Sequence, residues 1–167
     1  MQTKSLFPIT RQEIEEHWQS IDDVVMGGRS HSRFGFEQPD TLVFSGEVSL
    51  DRGGGFASVR RQPADLGLEG ARGLLLRLAG DGRRYKLSLR CDASLDGIAW
   101  QAAFETTAGS RQEIRLPLSI FYPTYHGSPR PQAGPLDPSR VVSIGFVIGE
   151  KQSGPFCLRV ASIAAYF

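Results

Sequence analysis

Two adjacent carboxylates, Asp22 and Asp23, stand shortly before the glycine pair Gly27 and Gly28 in the segment WQSIDDVVMGGRS. Such carboxylates can ligate a metal ion or hold a sugar hydroxyl. Short acids also accept backbone N–H bonds, which would brace the turn at the glycine pair, and this structural role is the favoured interpretation. Calcium needs six or more oxygens, and the sequence has no dense acidic loop to supply them. No metal site is therefore predicted.

A run of three glycines at residues 53–55 precedes a strand-like segment over residues 56–60. Glycine-rich loops can cradle phosphate, but a P-loop continues with Lys and Ser or Thr and then a helix, and neither follows here. The run is more typical of a tight turn that leads into a strand. No cofactor is predicted.

The side chains that most often serve in catalysis form no recognisable constellation. The histidines are His17, His31 and His126. They lie in different predicted elements, without an HExxH or His-x-His pair for zinc, and no GxSxG elbow is present for a serine hydrolase. Strand acids at Glu47, Asp51 and Glu105 leave a glycosidase pair open, although such acids more often face solvent. The prediction is a non-catalytic protein with no catalytic residues.

Arginine and aromatic side chains offer the best binding chemistry in the chain. Alternation along a strand places Phe56, Ser58 and Arg60 on one face. A guanidinium beside an aromatic ring grips sugars, carboxylates or peptides. Trp100 could join such a surface, but its place in an apolar row favours the core. The predicted binding surface combines a concave sheet face with a nearby loop, and its candidate residues are Phe56, Arg60, Arg83, Arg90, Tyr122, Tyr125, His126 and Arg130.

Composition argues against several classes of partner. The 167 residues carry 19 basic and 18 acidic side chains, for a net charge of +1, so no strong field attracts nucleic acid or an anionic membrane surface. The first thirty residues contain no apolar run suited to a signal peptide or membrane insertion, and their acids argue against a mitochondrial presequence. Cys91 and Cys157 lack CxxC spacing, which indicates reduced thiols and a cytoplasmic location.

One short helix and many short strands are expected to position these residues. Thr10 to Glu13 match a capping box, and the apolar spacing that follows predicts a helix over about residues 11–20. From Leu42 onward the apolar period is two. Residues 141–148 are nearly all apolar, as in a central strand, and a bulge is expected in the last strand near Leu158. The pattern predicts an all-β antiparallel sandwich of jelly-roll type, with residues 1–167 as one domain.

Residues 122–140 lack the period-two pattern and are predicted to form a long proline-rich loop. The segment carries five prolines, with Tyr125 and His126 among them. A loop of this length in a compact domain is either functional or mobile. Prolines lower the entropy cost of ordering it. The loop is therefore included in the predicted binding surface.

A series of motifs runs along nearly the whole chain: IDDVVMGGRS, FSGEVSL, GGGFASVR, GDGRRYKLSLR, QAAFET, LPLSIFYPTYHG, IGFVIGEKQSGPF and a final IAAY. In this order the motifs resemble the CIA30 family, named for complex I intermediate-associated protein 30. The resemblance implies a galactose-binding-like β-sandwich, related in shape to carbohydrate-binding modules. It also implies a chaperone-like assembly factor, as the mitochondrial members are for respiratory complex I. This chain is expected to be a stand-alone bacterial member.

The predicted function is therefore binding of protein partners, such as subunits of a membrane-associated complex. The alternative is a carbohydrate-binding module, which rests on shape alone. A sugar platform would need flat, exposed aromatic rings beside paired polar groups.

Overall fold

Two antiparallel β-sheets face each other across a shared apolar core. The structure is a computed structural model that describes residues 1–94 and 96–167, apart from the side chains of Val25 and Met26. The elements in chain order are β1 (Thr3–Ser5), α1 (Arg11–His17), β2 (Trp18–Ser20), β3 (His31–Glu37), β4 (Thr41–Val48), β5 (Ala57–Arg61), β6 (Gly73–Ala79), β7 (Arg84–Arg90), β8 (Ala99–Glu105), β9 (Arg111–Pro117), β10 (Tyr122–Tyr125), β11 (Ser128–Pro129), β12 (Ser143–Ile148) and β13 (Gly154–Tyr166).

The strand order confirms the predicted all-β antiparallel sandwich. One sheet runs β3-β4-β13-β6-β9, with β1 paired to the end of β13, and the other runs β11-β10-β8-β7-β12-β5-β2. All of these strand pairs are antiparallel. The apolar segment that starts at Val141 forms β12, a central strand between β7 and β5, as predicted. The predicted bulge is also confirmed, because the register of β13 shifts between Val160 and Ser162.

The period-two pattern divides each strand between the core and an outer face. On β7, Tyr85, Leu87 and Leu89 are fully buried in the core, whereas Ser88 and Arg90 alternate to the other side. Burial of one large apolar side chain contributes about 1.5–3 kcal/mol relative to exposure. The alternation therefore anchors the register of β7 and, with it, the polar side chains on the outer face.

Helix α1 ends at His17, three residues earlier than predicted. The predicted cap at Thr10 is present, since the Glu13 N–H donates to its hydroxyl at 3.1 Å. Trp18 then takes extended backbone angles (φ −120°, ψ 146°) and begins β2, which pairs with β5. Tertiary pairing of Trp18 with Arg61 overrides the helical spacing that continues past His17 in the sequence.

The proline-rich segment contains more regular structure than predicted. Residues 122–129 form the β10–β11 hairpin at one edge of the seven-stranded sheet, and short 3₁₀ turns follow at Pro131–Ala133 and Pro138–Arg140. Pro129 is accommodated because it lies on β11, the edge strand, which does not need every N–H for pairing.

Candidate functional site

Polar side chains line up across the outer face of the seven-stranded sheet, which is the face turned away from the core. Antiparallel register places one residue from each of six neighbouring strands directly opposite the next. We call this set the outer row, and its members are Gln19, Arg60, Gly145, Ser88, Gln101 and Tyr122. Because opposed residues share a face, the row forms one continuous surface perpendicular to the strands.

Two buried polar atoms of the outer row have no hydrogen-bond partner among the described residues. They are Nη1 of Arg60 and Oε1 of Gln101. Gln101 is only 8% exposed. Buried polar atoms are nearly always satisfied in folded proteins, so these two atoms mark a polar region in which the described residues leave hydrogen bonds unmade.

The middle of the row is open because residue 145 is glycine. A Cβ on Gly145 would lie 2.4 Å from the carbonyl oxygen of Val59, so only glycine lets β12 pack this closely against β5. The missing side chain leaves a depression of about 30 Å³ between Arg60 and Ser88. That volume holds roughly two water molecules, so the site is a shallow surface rather than a pocket that encloses a ligand.

Arg60 lies in an environment that is unfavourable for a cation. Burial and, to a smaller degree, like-charge repulsion from Arg90 lower the pKa of Arg60 to about 10, and the carboxylate of Asp92 partly opposes both effects. Arg60 is still charged at neutral pH. In the described part of the chain its guanidinium forms no ion pair within 4.0 Å. Arg90 differs, because its Nη1 donates to the carbonyl of Gly97 at 3.0 Å.

A second group of candidate residues meets at the turn of the β10–β11 hairpin. The Tyr125 hydroxyl donates to Oδ2 of Asp96 at 3.0 Å, and Nε2 of His126 lies 2.6 Å from Oδ1 of the same carboxylate. The Tyr125 and His126 rings stack with centroids 4.2 Å apart, and the Arg130 guanidinium lies 5.6 Å from the Tyr125 centroid. We call these four residues the hairpin cluster. The sequence analysis named three of them but not Asp96, whose carboxylate bonds both Tyr125 and His126.

Replacing Asp96 with asparagine is expected to lower the pKa of Tyr125 toward its ordinary value. The hydrogen bond to the Asp96 carboxylate raises the pKa of Tyr125, because a phenolate can no longer donate and is repelled by the negative charge. Titration of labelled tyrosine ring carbons by NMR measures the change. Asp137→Asn is the control, since Asp137 bonds Ser139 and not a tyrosine. An unchanged pKa of Tyr125 in Asp96→Asn would contradict the assigned hydrogen bond.

The structure separates Arg83 from the predicted binding residue Arg90 and from the outer row. Its guanidinium donates to the carbonyls of Gln152 and Ser153, each at 3.0 Å, and so braces the turn before β13. Arg83 directly precedes β7 and lies seven residues from Arg90 at the other end of that strand, which is about 23 Å in an extended chain. Arg83 is therefore not part of the outer row.

Two aromatic side chains considered for the surface are only partly exposed. Phe56 lies just before β5 and is half-buried. Trp100 packs against the edge of the core, and its indole N–H donates to the carbonyl of Gly134 at 3.0 Å. Tyr122 is 41% exposed and is the ring that the outer row presents to solvent.

Asp23 joins the two glycine-rich segments of the sequence. It is 1% exposed, and its carboxylate accepts from the N–H groups of Ser30 at 2.8 Å, Gly55 at 2.7 Å and Phe56 at 3.3 Å. The Ser30 hydroxyl donates to it as well, at 2.5 Å. The bonds from Gly55 and Phe56 tie residues 23–30 to residues 55–56. The bonds from Ser30 connect the two ends of the segment that contains the Gly27–Gly28 turn.

The glycines around Asp23 make room for its carboxylate. A Cβ on Gly28 would lie 2.4 Å from the Asp23 Cγ, and one on Gly54 would lie 2.5 Å from its Oδ2. Gly27 instead has a positive φ of 89° and forms the turn itself. Asp22 accepts in a similar way from the N–H groups of Ser32 and Ser58, at 2.9 and 3.0 Å.

Neither a metal cluster nor a membrane-spanning helix is found in the residues that the structure describes. Within them, no three or more His, Cys, Asp and Glu side chains are grouped so as to hold a metal ion. None of the helices in this part of the chain has the length and apolar character needed to cross a membrane.

The comparison with known families rests on nearly the full length of the chain. The model of the family described as complex I intermediate-associated protein 30 (CIA30) matches residues 7–160. The chain belongs to the CIA30 family. The match includes the outer row, the hairpin cluster and the Asp23 region, so these features lie within the CIA30 domain.

Curated members of the CIA30 family are similar over part of this chain. The mouse protein "Complex I intermediate-associated protein 30, mitochondrial" is 34% identical over 97 residues, which is 56% of this chain and 30% of the mouse protein. A Caenorhabditis elegans protein, "Probable complex I intermediate-associated protein 30, mitochondrial", is 31% identical over 97 residues, covering 56% and 28% of the two chains. The matched region spans less than a third of either relative.

Solved structures with this fold include carbohydrate-binding modules. The family 11 module of cellulosomal cellulase Lic26A-Cel5E of Clostridium thermocellum superposes with a TM-score of 0.71 at 17% identity, covering 99% of this chain and 94% of the module. A mutant of the family 29 module CBM29-2 gives a TM-score of 0.55 at 8% identity, with coverage of 98% and 84%. At such low identity these likenesses establish the fold of this CIA30 member but not its ligand.

Proposed function

We propose that this CIA30 member is a non-catalytic, cytoplasmic protein-binding domain that acts as an assembly factor or chaperone for a protein complex. The names of its relatives point to complex I, so subunits of a membrane-associated complex are the proposed partners. The observation that carries the proposal is the outer row, whose buried Arg60 and Gln101 atoms lack partners in the described protein. A surface with open hydrogen-bonding capacity on a rigid sheet is suited to binding.

The proposed binding surface combines the outer row with the hairpin cluster. Arg90 links the two, because its guanidinium belongs to the outer face and also donates to Gly97, next to Asp96. Arginine and tyrosine contribute most of the binding energy in many protein interfaces, and this surface offers Arg60, Tyr122 and Tyr125. A mutual hydrogen-bond network also holds the hairpin in place before binding, which lowers the entropy cost of association.

Carbohydrate binding is the second candidate function, favoured by the solved structures that share the fold. One of them is a family 11 module in complex with a β-1,3-1,4-mixed-linked tetrasaccharide. The aromatic residues of this chain support that function less well. Tyr85 is fully buried, Trp100 is held beneath Gly134, and Tyr122 is the exposed ring of the outer row. Sugar-binding sites built on aromatic residues use flat, exposed rings, and Tyr85 and Trp100 do not provide them.

Replacing Tyr125 with alanine is expected to weaken partner capture by about tenfold or more, as for an interface anchor. Tyr125 stacks on His126 and lies under Arg130, so its loss removes both the ring and the support of its neighbours. Affinity purification with quantitative mass spectrometry, from cells of the source organism, measures the change.

The matched control is Arg77→Ala, an exposed site on the other sheet. Capture by this variant should equal that of the wild type. If the wild-type chain enriches no protein, the proposed function is wrong. Binding on a glycan array in its place would establish the carbohydrate alternative.

A further inference from the structure

Arg60 is a cation that forms no ion pair with the described residues. Its Nη1 is buried without a partner, and no carboxylate lies within 4.0 Å in the described part of the chain. The neighbouring Arg61 shows the usual arrangement, since its Nη2 lies 2.8 Å from the Glu13 carboxylate. Partly buried charges are ordinarily paired, because an unpaired charge loses hydration without compensation.

The nearby positive charge of Arg90 makes the environment of Arg60 still less favourable for a cation. Arg90 faces the same depression and repels it. Asp92 attracts Arg60 from a greater distance but makes no ion pair with it. A ligand that brings negative charge to the depression would therefore satisfy Arg60 and relieve the repulsion between the two guanidinium groups. Carboxylate is the group whose two oxygens match the planar fork of arginine.

The position of the second unpartnered atom, Oε1 of Gln101, indicates how long the ligand is and in which direction it lies. Gln101 lies three strands away from Arg60 in the outer row, on β8. Neighbouring strands are about 4.8 Å apart, so the two Cα atoms are separated by roughly 14 Å. Four residues of extended peptide span a similar distance at about 3.4 Å each. The buried Oε1 of Gln101 accepts hydrogen bonds, and a peptide N–H supplies the donor that it lacks.

We propose that the outer row binds an extended acidic segment of the partner protein. An Asp or Glu carboxylate of the segment pairs with Arg60, and a backbone N–H some four residues away donates to Gln101. This inference rests on the proposed protein-binding function and adds the chemistry of the partner. A neutral glycan could offer a hydroxyl to Gln101, but it would leave Arg60 without a counter-ion.

The first test selects random 12-residue peptides displayed on phage against the immobilised chain. The selected peptides are expected to be enriched in Asp and Glu. Each is then synthesised with blocked ends, together with versions in which an acid is replaced by its amide. In the wild type the critical replacement should weaken binding by roughly ten- to a hundredfold, the range for a hydrogen bond to a charged group.

The Arg60→Gln variant tests whether Arg60 is the residue that binds the acidic side chain of the peptide. Its binding should change less than about threefold on the same acid-to-amide replacement, because the interaction is already lost. Arg77→Gln on the other sheet should behave like the wild type. A Gln101→Met variant should weaken all selected peptides without altering their preference for acids. Arg60→Gln should unfold at the same or a higher temperature, since it removes an unpaired charge and no internal contact.

Several results would overturn the inference. One is a selection that yields no peptide or no enrichment of acids, and another is an equal acid-to-amide effect in Arg60→Gln. If whole partners are captured equally by the wild type and Arg60→Gln, the acidic-segment inference is wrong while the protein-binding function stands. If the wild type captures no partner, the proposed function fails independently of the peptide result.

Discussion

Replacing Asp23 with alanine is expected to lower the free energy of unfolding by about 4 kcal/mol, because several buried donors lose their acceptor at once. The Asp23 carboxylate accepts from the backbone of Ser30, Gly55 and Phe56. Together with the backbone bond from the Asp23 N–H to the carbonyl of Phe56, the carboxylate holds residues 23–30 against residues 55–56. Urea unfolding followed by circular dichroism measures the loss.

The control for Asp23 lies in the same region. Asp51→Ala changes an exposed carboxylate and should shift the free energy of unfolding by less than about 0.5 kcal/mol. If Asp23→Ala were no less stable than Asp51→Ala, the structural role of Asp23 would be refuted.

The same carboxylate predicts a pH dependence of stability. Burial acts to raise the pKa of Asp23, but hydrogen bonds from Ser30, Gly55 and Phe56 outweigh it and hold the pKa below its ordinary value. A depressed pKa in the folded state stabilises the protein fully above the unfolded value of about 3.9. That contribution is lost as the pH falls through the lower folded value. The stability of the wild type should therefore fall more steeply below pH of about 4 than that of Asp23→Asn.

Replacing Glu13 with alanine is expected to cost about 3–5 kcal/mol, the range for breaking one side of a buried ion pair. Glu13 accepts from Arg61 Nε at 3.0 Å and Nη2 at 2.8 Å, and from the Trp18 indole at 2.9 Å. Its loss leaves the Arg61 charge buried without a partner and frees the helix from the sheet. Equilibrium unfolding in urea again provides the measurement.

Two companion variants separate the ion pair from general effects on the helix. Glu15→Ala removes an exposed carboxylate of the same helix and should be nearly neutral. The double variant Glu13→Leu with Arg61→Met should recover much of the loss, because it removes both charges together. A double variant as unstable as Glu13→Ala would contradict the assignment of the cost to an unpaired charge.

Local patterns in the sequence were sufficient to predict much of the fold. Period two along residues 42–51, 74–78 and 85–90 predicted strands, and strands β4, β6 and β7 cover these regions, except that β4 ends at Val48 and a 3₁₀ turn begins at Asp51. The nearly continuous apolar run from Val141 predicted a central strand, and β12 lies between β7 and β5 in the structure. Strands β2 and β10 were missed because their pattern is short or interrupted by proline, and their pairing partners supply what their own sequence lacks.

In the candidate site, too, some features follow from local sequence and others only from tertiary pairing. The sequence by itself determined that Arg60 and Phe56 stand beside a glycine run, that Asp22 and Asp23 precede another, and that the chain has the CIA30 motifs. These depend on residue type and spacing along the chain, which local sequence contains. Only the tertiary structure decided that Asp23 joins the two glycine segments and that Gln101 lies in the row of Arg60. Both depend on pairing between residues far apart in sequence, where register is set by the packing of the whole sandwich.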